Sequence, residues 1–448
     1  MNKKTCTFIT LGCKVNQYET QAIRESIVAK GYREVSPDEG ADLYVINTCT
    51  VTSASDEKSR AVIRKAVRSN PDAKVVVTGC YVDADKKTVE RLRGVDYVFE
   101  NADKGNIADI LEPAYTELSE TCHPERSEGS RFRDSSLSLR MTGQGVTRFD
   151  GHTRAFLKIE DGCDVFCSYC VIPYVRGEVR SKGLDAIVEE AKRIANNGYK
   201  EIVLTGIHLG AYGKDLQNVG LVDVLCRLEQ IENLERIRLS SIEINEVNDD
   251  LINLVAASEK ICPHFHLPLQ SGSDYILRKM NRRYTSAQYL TTLDKIKAKV
   301  KLPSFSTDVM VGFPAETATA FQGTIRVCCE AGFSRMHIFP YSIRKGTPAA
   351  KMPGHCKPHE IEQRKKLLES VANRLALEYK QNFIGATVDV LVETRRDKKT
   401  DKLCGYSERY IKVVFDGADD ILNNIVPVKI EKAFSGFAEG SLITFQVG

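Results

Sequence analysis

Three cysteines stand within eight positions of the stretch EDGCDVFCSYC: Cys163, Cys167 and Cys170, spaced CxxxCxxC. A structural zinc site usually takes four ligands in two matched pairs. No later cysteines supply the second pair, and Cys328 and Cys329 are adjacent. A four-iron, four-sulfur cluster on three thiolates leaves one iron without a protein ligand, and an open position on a metal marks chemistry. A second set is dispersed along the chain. Cys13, Cys49 and Cys80 close the runs TLGC, INTC and VTGC, each the end of an expected strand. In an open parallel sheet such ends share one edge, where ligands bind. Three thiols at one topological position can converge on a second cluster with an open iron; the alternative is three unrelated core thiols. The other eight of the fourteen cysteines show no positional pattern and read as small buried apolar residues.

The elements that must position these residues form an α/β multidomain chain of 448 residues. Residues 1–115 alternate strand and helix, with strands at 5–13, 42–49 and 73–80 and helices at 18–32 and 53–71. That pattern predicts a parallel sheet with covering helices. Residues 116–151 are rich in Ser, Arg and Gly and read as a linker or insertion. From 152 to 378 the alternation resumes with six β/α units, which predicts a partial (β/α)6 barrel whose functional face lies at the strands' C-terminal ends. Its lateral opening suits a large substrate. A long helix at 359–385 leads to short β runs, so residues 379–448 end in a small antiparallel β-barrel.

Charge sharpens this reading only locally. The net charge of +3 is too small to imply nucleic acid, but residues 278–301 carry eight Lys/Arg against one acid, and 344–402 fourteen against eight. No run of about 20 apolar residues is present, and the N-terminus lacks a cleavage site, so the expectation is a cytoplasmic chain with no membrane association, acting as a monomer.

CxxxCxxC after the first strand of a partial barrel resembles the radical SAM superfamily, and Tyr169 before the last cysteine fits its pattern. The blocks TLGCKVNQYE, VINTCTVT, VVTGCY, HLPLQSGSDYILRKMNRRY and HIFPYSIRKGTPAAKM resemble the methylthiotransferases, and the C-terminal β segment looks like their RNA-binding TRAM domain. The resemblance spans nearly the whole chain outside 116–151. It implies two [4Fe-4S] clusters and two molecules of S-adenosyl-L-methionine per turnover. One, at the Cys163/Cys167/Cys170 cluster, yields a 5′-deoxyadenosyl radical. The other methylates sulfur held by the cluster on Cys13, Cys49 and Cys80. The target is an unactivated C–H, too weak an acid for side-chain bases, so a cofactor must do the hard step. A low-potential electron donor and a sulfur donor are implied as partners.

The same resemblance marks cofactor-binding candidates at barrel strand ends: Tyr169, Thr205, Gly206, Ser240 with neighbouring Ser241, Glu243, Gln270 with Ser271, and Asp308. GCKVNQYE around Cys13 resembles the group that modifies N6-threonylcarbamoyladenosine at tRNA position 37. Other members modify isopentenyladenosine in tRNA or a ribosomal-protein aspartate. The threonyl carboxylate calls for a cation, with Arg176, Arg180 and the Arg282–Arg283 pair as candidates; Lys182 lacks a bidentate fork and is given no such role. RNA contacts are expected from residues 278–301 and from RRDKKTDK at 395–402. A different class, a non-catalytic iron–sulfur electron-transfer protein with an RNA-binding tail, calls for four cysteines per cluster, whereas two sets of three are present.

Overall fold

The computed structural model describes residues 4–111 and 145–443. The segment expected as a linker falls mostly outside the described residues, at 116–144. The chain divides into two compact units: residues 1–146 with 171–180, and residues 147–170 with 181–448.

The first unit is built on a five-stranded, wholly parallel sheet in the order Arg33–Glu34, Thr5–Thr10, Leu43–Thr48, Lys74–Gly79, Tyr97–Phe99. The central strand is buried at every position, as a strand covered on both faces must be. Tyr44, Ile46, Val75 and Val77 pack against Ile63 and Ala66 of the helix Ser53–Ser69. That helix is capped by Thr52, whose hydroxyl accepts from the Ser55 N–H. The first helix runs Lys14–Ala29, four residues earlier than its apolar spacing predicts, because Gly12 and an extended Cys13 complete the turn out of the strand. Register pairs Thr10 with Asn47 and Thr48 with Gly79, so the chain leaves all three strands at one edge.

The second unit contains six parallel barrel strands: Ala155–Lys158, Glu201–Thr205, Arg236–Leu239, His264–His266, Ser304–Val311 and Arg335–Pro340. They form two three-stranded sheets, joined by single bridges from Ile237 to Ile261 and Ser241 to His266. The helix Pro358–Gln381 then leads to a closed five-stranded barrel of Thr387–Val392, Leu403–Ser407, Lys412–Phe415, Ile425–Ala433 and Ala438–Leu442. Four of its five strand pairs are antiparallel, and Lys412–Phe415 closes it in parallel with Ala438–Leu442.

The stretch GYSERYIKVVF, within the part expected to hold short β runs, is a hairpin in which Tyr410 takes a left-handed φ of 62°. This hairpin is anchored on the N-terminal ends of the larger barrel's strands. Buried Arg238 bonds Glu201 at 2.6 Å, donates to the Ser407 and Glu408 carbonyls, and lies 4.8 Å from the Tyr410 ring centroid. Among the described residues no helix is long and apolar enough to cross a membrane.

Candidate active site

In the first unit, Cys49 and Cys80 are buried and Cys13 is exposed. Each follows a strand of the same parallel edge: Cys13 caps the helix Lys14–Ala29, Cys80 opens the helix Cys80–Glu90, and Cys49 stands in the turn before the helix Ser53–Ser69. Backbone N–H groups are therefore turned toward the sulfurs: that of Asn16 toward Cys13, and those of Thr50 and Val51 toward Cys49. Gly12, at φ +105°, lets the backbone pass against Cys49, where a Cβ would come within 3.1 Å of the sulfur.

Arg176, on the short helix Ile172–Arg176, donates Nε–H to Cys80 Sγ at 3.3 Å. Its other nitrogens reach Glu19 at 2.5 Å and Asn16 Oδ1 at 2.7 Å. Glu19 also pairs with Lys104, which donates to Asn47 Oδ1 at 3.2 Å. All three ionic side chains are nearly inaccessible: Arg176 and Lys104 at 0% and Glu19 at 2%. Burial holds the Lys104 ammonium below its ordinary pKa against the pull of Glu19. Nearby Asp83 is pushed up to about 7 by burial. The pocket beside Cys80 thus carries two buried cations against one full anion.

In the second unit, Cys163, Cys167 and Cys170 share the loop after the first barrel strand. The loop is clamped by the segment that follows the helix Asp274–Lys279. Ser168 N–H donates to the Met280 carbonyl at 3.0 Å, Ser168 Oγ–H to the Lys279 carbonyl at 2.7 Å, and Asn281 Nδ2 to the Phe166 carbonyl at 3.0 Å. Arg282 Nη1 reaches Cys167 Sγ at 3.3 Å, while Nη2 pairs with Glu243. Burial pushes the Cys163 thiol up to about 12, so metal uptake here must displace protons.

At the C-terminal ends of the first three barrel strands, three buried polar atoms have no hydrogen-bond partner: Glu160 Oε1, Thr205 Oγ1 and Ser240 Oγ. Buried polar groups are rarely left unpaired, so these mark a place for a polar ligand. Gly206 stands against Glu160, where a Cβ would fall 2.5 Å from Oε2. Glu160 accepts from the His208 N–H at 2.7 Å, and burial pushes its carboxyl up to about 8.

The remaining candidates divide. Tyr169 is packed edge-on to Phe313, with centroids 6.5 Å apart. Gln270 bridges to the neighbouring strand with a strained left-handed φ of 61°, and Ser271 contacts Thr324 at 3.3 Å. Ser241 is exposed. Asp308 lies between His266 (3.3 Å) and His337 (3.1 Å), which hold its carboxyl well below the usual range.

Of the cations considered for a substrate carboxylate, Arg176 and Arg282 are buried and held by Glu19 and Glu243, and Arg180 folds onto the Arg176 carbonyl at 3.0 Å. Only Arg283 of that set is exposed. Lys182 pairs with buried Glu190. Glu160, Glu19, Asn16 and Lys104 were not among the expected site residues; Asn16 and Glu19 lie on the helix that Cys13 caps, and Lys104 is brought there only by tertiary folding.

Family models match the chain in three places: the uncharacterized protein family UPF0004 over residues 5–100, the radical SAM superfamily over 157–328 and the TRAM domain over 381–443. The threonylcarbamoyladenosine tRNA methylthiotransferase MtaB of Bacillus subtilis is 38% identical over 443 residues, covering 98% of this chain and 96% of that one. Its namesake in Aquifex aeolicus is 41% identical, covering 86% and 92%. The tRNA-2-methylthio-N(6)-dimethylallyladenosine synthase of Carboxydothermus hydrogenoformans is 34% identical, covering 99% and 100%. Among solved structures, the radical S-adenosylmethionine methyltransferase TsrM of Kitasatospora setae aligns with a TM-score of 0.54 at 14% identity, covering 78% and 77%, a likeness of fold alone.

Proposed function

The chain belongs to the radical SAM methylthiotransferase family, and on that premise we propose that it installs a methylthio group at C2 of N6-threonylcarbamoyladenosine at tRNA position 37. The observation that carries this reading is the pair of cysteine triplets, each a set of three thiols, set in pockets of different charge. The relatives named for the threonylcarbamoyl substrate, at 38–41% identity, support it over the dimethylallyl substrate at 34%.

Cys163, Cys167 and Cys170 would hold the cluster characteristic of the superfamily, with Arg282 as a hydrogen-bond donor to the Cys167 sulfur. Glu160, Thr205 and Ser240 offer one acceptor and two hydroxyls, which fit the amino, carboxylate and ribose groups of S-adenosylmethionine. Gly206 leaves room for that approach, Gln270 adds a strand-end amide, and Tyr169 walls the loop against Phe313. Glu243 would act through Arg282, and Asp308, turned to its two imidazoles, stands outside this set. Cys13, Cys49 and Cys80 would hold a second [4Fe-4S] cluster, with helix N-termini and Arg176 balancing its negative charge. When bound, these groups supply a carbon-centred radical for hydrogen abstraction at one triplet and the sulfur to be transferred at the other, with two S-adenosylmethionines consumed. A low-potential electron donor and a sulfur donor complete the reaction, which we assign to a single chain in the cytoplasm.

The tRNA surface is narrower than the charge windows suggest. Arg396, Lys402 and Lys412 are paired with Asp419, Asp416 and Asp397, leaving Arg395, Lys398 and Lys399 exposed on the hairpin loop of the small barrel. In the other window, exposed Lys295 lies on the helix Ser286–Lys299, where Lys297 faces Asp294 and Lys299 faces Asp249.

Nucleoside mass spectrometry of tRNA from a deletion strain tests the assignment. The expected result is loss of 2-methylthio-N6-threonylcarbamoyladenosine, restored by the intact gene and not by C80A. Loss of the dimethylallyl derivative instead, or unchanged tRNA with an altered ribosomal protein, would overturn it.

A further inference from the structure

On three neighbouring strands of the larger barrel, register sets His266 opposite Ser306 and Asp308 opposite His337. Strand alternation puts the side chains of residues 266, 306, 308 and 337 on one face. Phe305 takes the other face, where Lys297 of the helix Ser286–Lys299 lies over its ring. The helices cover the outside of such a barrel, so the two imidazoles and the carboxylate point into its interior. We propose that His266, Asp308 and His337 form a binding site for a divalent first-row cation of the zinc class.

Three observations carry this. The ligating atoms of the three side chains all lie within 4.8 Å of one another. His266 Nε2 is 3.3 Å from Asp308 Oδ2, and His337 Nδ1 is 3.1 Å from Oδ1. With bonds of about 2.0–2.1 Å to nitrogen and oxygen, neighbouring ligands of a tetrahedral ion stand about 3.3 Å apart. The two short distances reach different oxygens of Asp308, so modest rotation of the carboxylate and rings is needed to bring one oxygen and both nitrogens from within 4.8 Å to that spacing. The far nitrogen of His266, Nδ1, is 2.9 Å from Ser306 Oγ, the outer hydrogen bond that orients a ligating imidazole.

Two imidazoles and one carboxylate are a ligand set that suits zinc, cobalt or ferrous iron, and three protein ligands leave positions open to water or a substrate oxygen. The side chains keep partial solvent access, 13% for His266, 25% for Asp308 and 40% for His337, which gives an ion a way in. The site uses none of the six cysteines and does not depend on the proposed reaction. The competing account is a plain hydrogen-bond network in which both rings donate to Asp308.

The test is equilibrium dialysis of the cluster-reconstituted full-length protein against Zn(II), with metals counted by mass spectrometry. The expected result is about one zinc beyond the cluster iron. H337A, at the most exposed of the three positions, should weaken binding by at least about tenfold with unchanged iron content and circular dichroism. D308N should do the same and provides a second variant in case one misfolds. No zinc retained by the wild type, or equal retention by H337A and D308N, would overturn the proposal in favour of the hydrogen-bond network.

Discussion

The two cysteine triplets differ in how they are built and in the charge around them. One is local, a loop of eight residues clamped by the 279–282 segment. The other is assembled from three strand ends of one sheet. Each has a buried arginine 3.3 Å from one sulfur, Arg176 at Cys80 and Arg282 at Cys167. Around Cys80, the two cations Arg176 and Lys104 face one full anion, Glu19, and Asp83, which burial leaves only partly ionised near neutral pH. Around Cys167, Glu243 balances Arg282, and in the same strand-end set Glu160 keeps one oxygen, Oε1, without a hydrogen-bond partner while Oε2 accepts from the His208 N–H, so this carboxyl can ionise toward a cation. Buried charge must be compensated. The first pocket therefore favours a more anionic occupant, as a cluster bearing sulfur would be, and the second favours a ligand with cationic groups, as S-adenosylmethionine is.

The difference between the two pockets depends most on Glu19. E19Q leaves Arg176 and Lys104 without their buried anion and is expected to cost about 3–5 kcal/mol in chemical denaturation, softened as Lys104 sheds its proton. E243Q should cost less, because Glu243 is 18% exposed. An equal cost for the two would remove the asymmetry.

R176Q keeps much of the volume but removes the charge and the Nε–H donor. It should reduce cluster retention at Cys13/Cys49/Cys80 by about 10–100-fold, measured as iron lost to a chelator, with iron at the other triplet unchanged.

The smallest effect is a pH dependence at Glu160. Its carboxyl, pushed up to about 8 by burial, is largely neutral at pH 7 in the free protein. A cationic ligand draws out the proton, so affinity for S-adenosylmethionine should rise between pH 6 and 8, by at most about tenfold per unit, and E160Q should flatten the profile. The same raised value costs the unliganded protein stability as pH climbs from about 4.5, where the unfolded side chain ionises, to about 8. Titration calorimetry across that range checks both the slope and its loss.

Much of this was legible because the signals are local. CxxxCxxC lies within one loop, and the three dispersed cysteines each follow an apolar run ending in Gly or Thr, which announces a strand end. The Arg176–Glu19–Lys104 network was not legible, since Arg176 and Lys104 stand 157 and 85 residues from Glu19 and no periodicity joins them. Asn16 and Glu19 belong to the same KVNQYE block that suggested the substrate, yet both are buried and turned to Arg176.

The helix Ser286–Lys299 was read only as a charge window, although Tyr289, Leu293 and Ile296 form its buried stripe. The hairpin at Tyr410 escaped because Glu-Arg-Tyr carries none of the Gly, Asn or Pro that signals a turn. Arg282 was offered as a substrate contact on charge alone. Burial against Glu243 and Cys167 makes it a positioning residue for the cysteine loop.

The most direct test of the two-site account replaces each triplet in turn with alanine and follows iron and product together. The account predicts about eight irons in the wild type and about four in either variant. The Cys13/Cys49/Cys80 variant should still cleave S-adenosylmethionine to 5′-deoxyadenosine without methylthiolating tRNA, and the Cys163/Cys167/Cys170 variant should form no 5′-deoxyadenosine at all. About four irons in the wild type, or methylthiolated tRNA from the Cys13/Cys49/Cys80 variant, would contradict it.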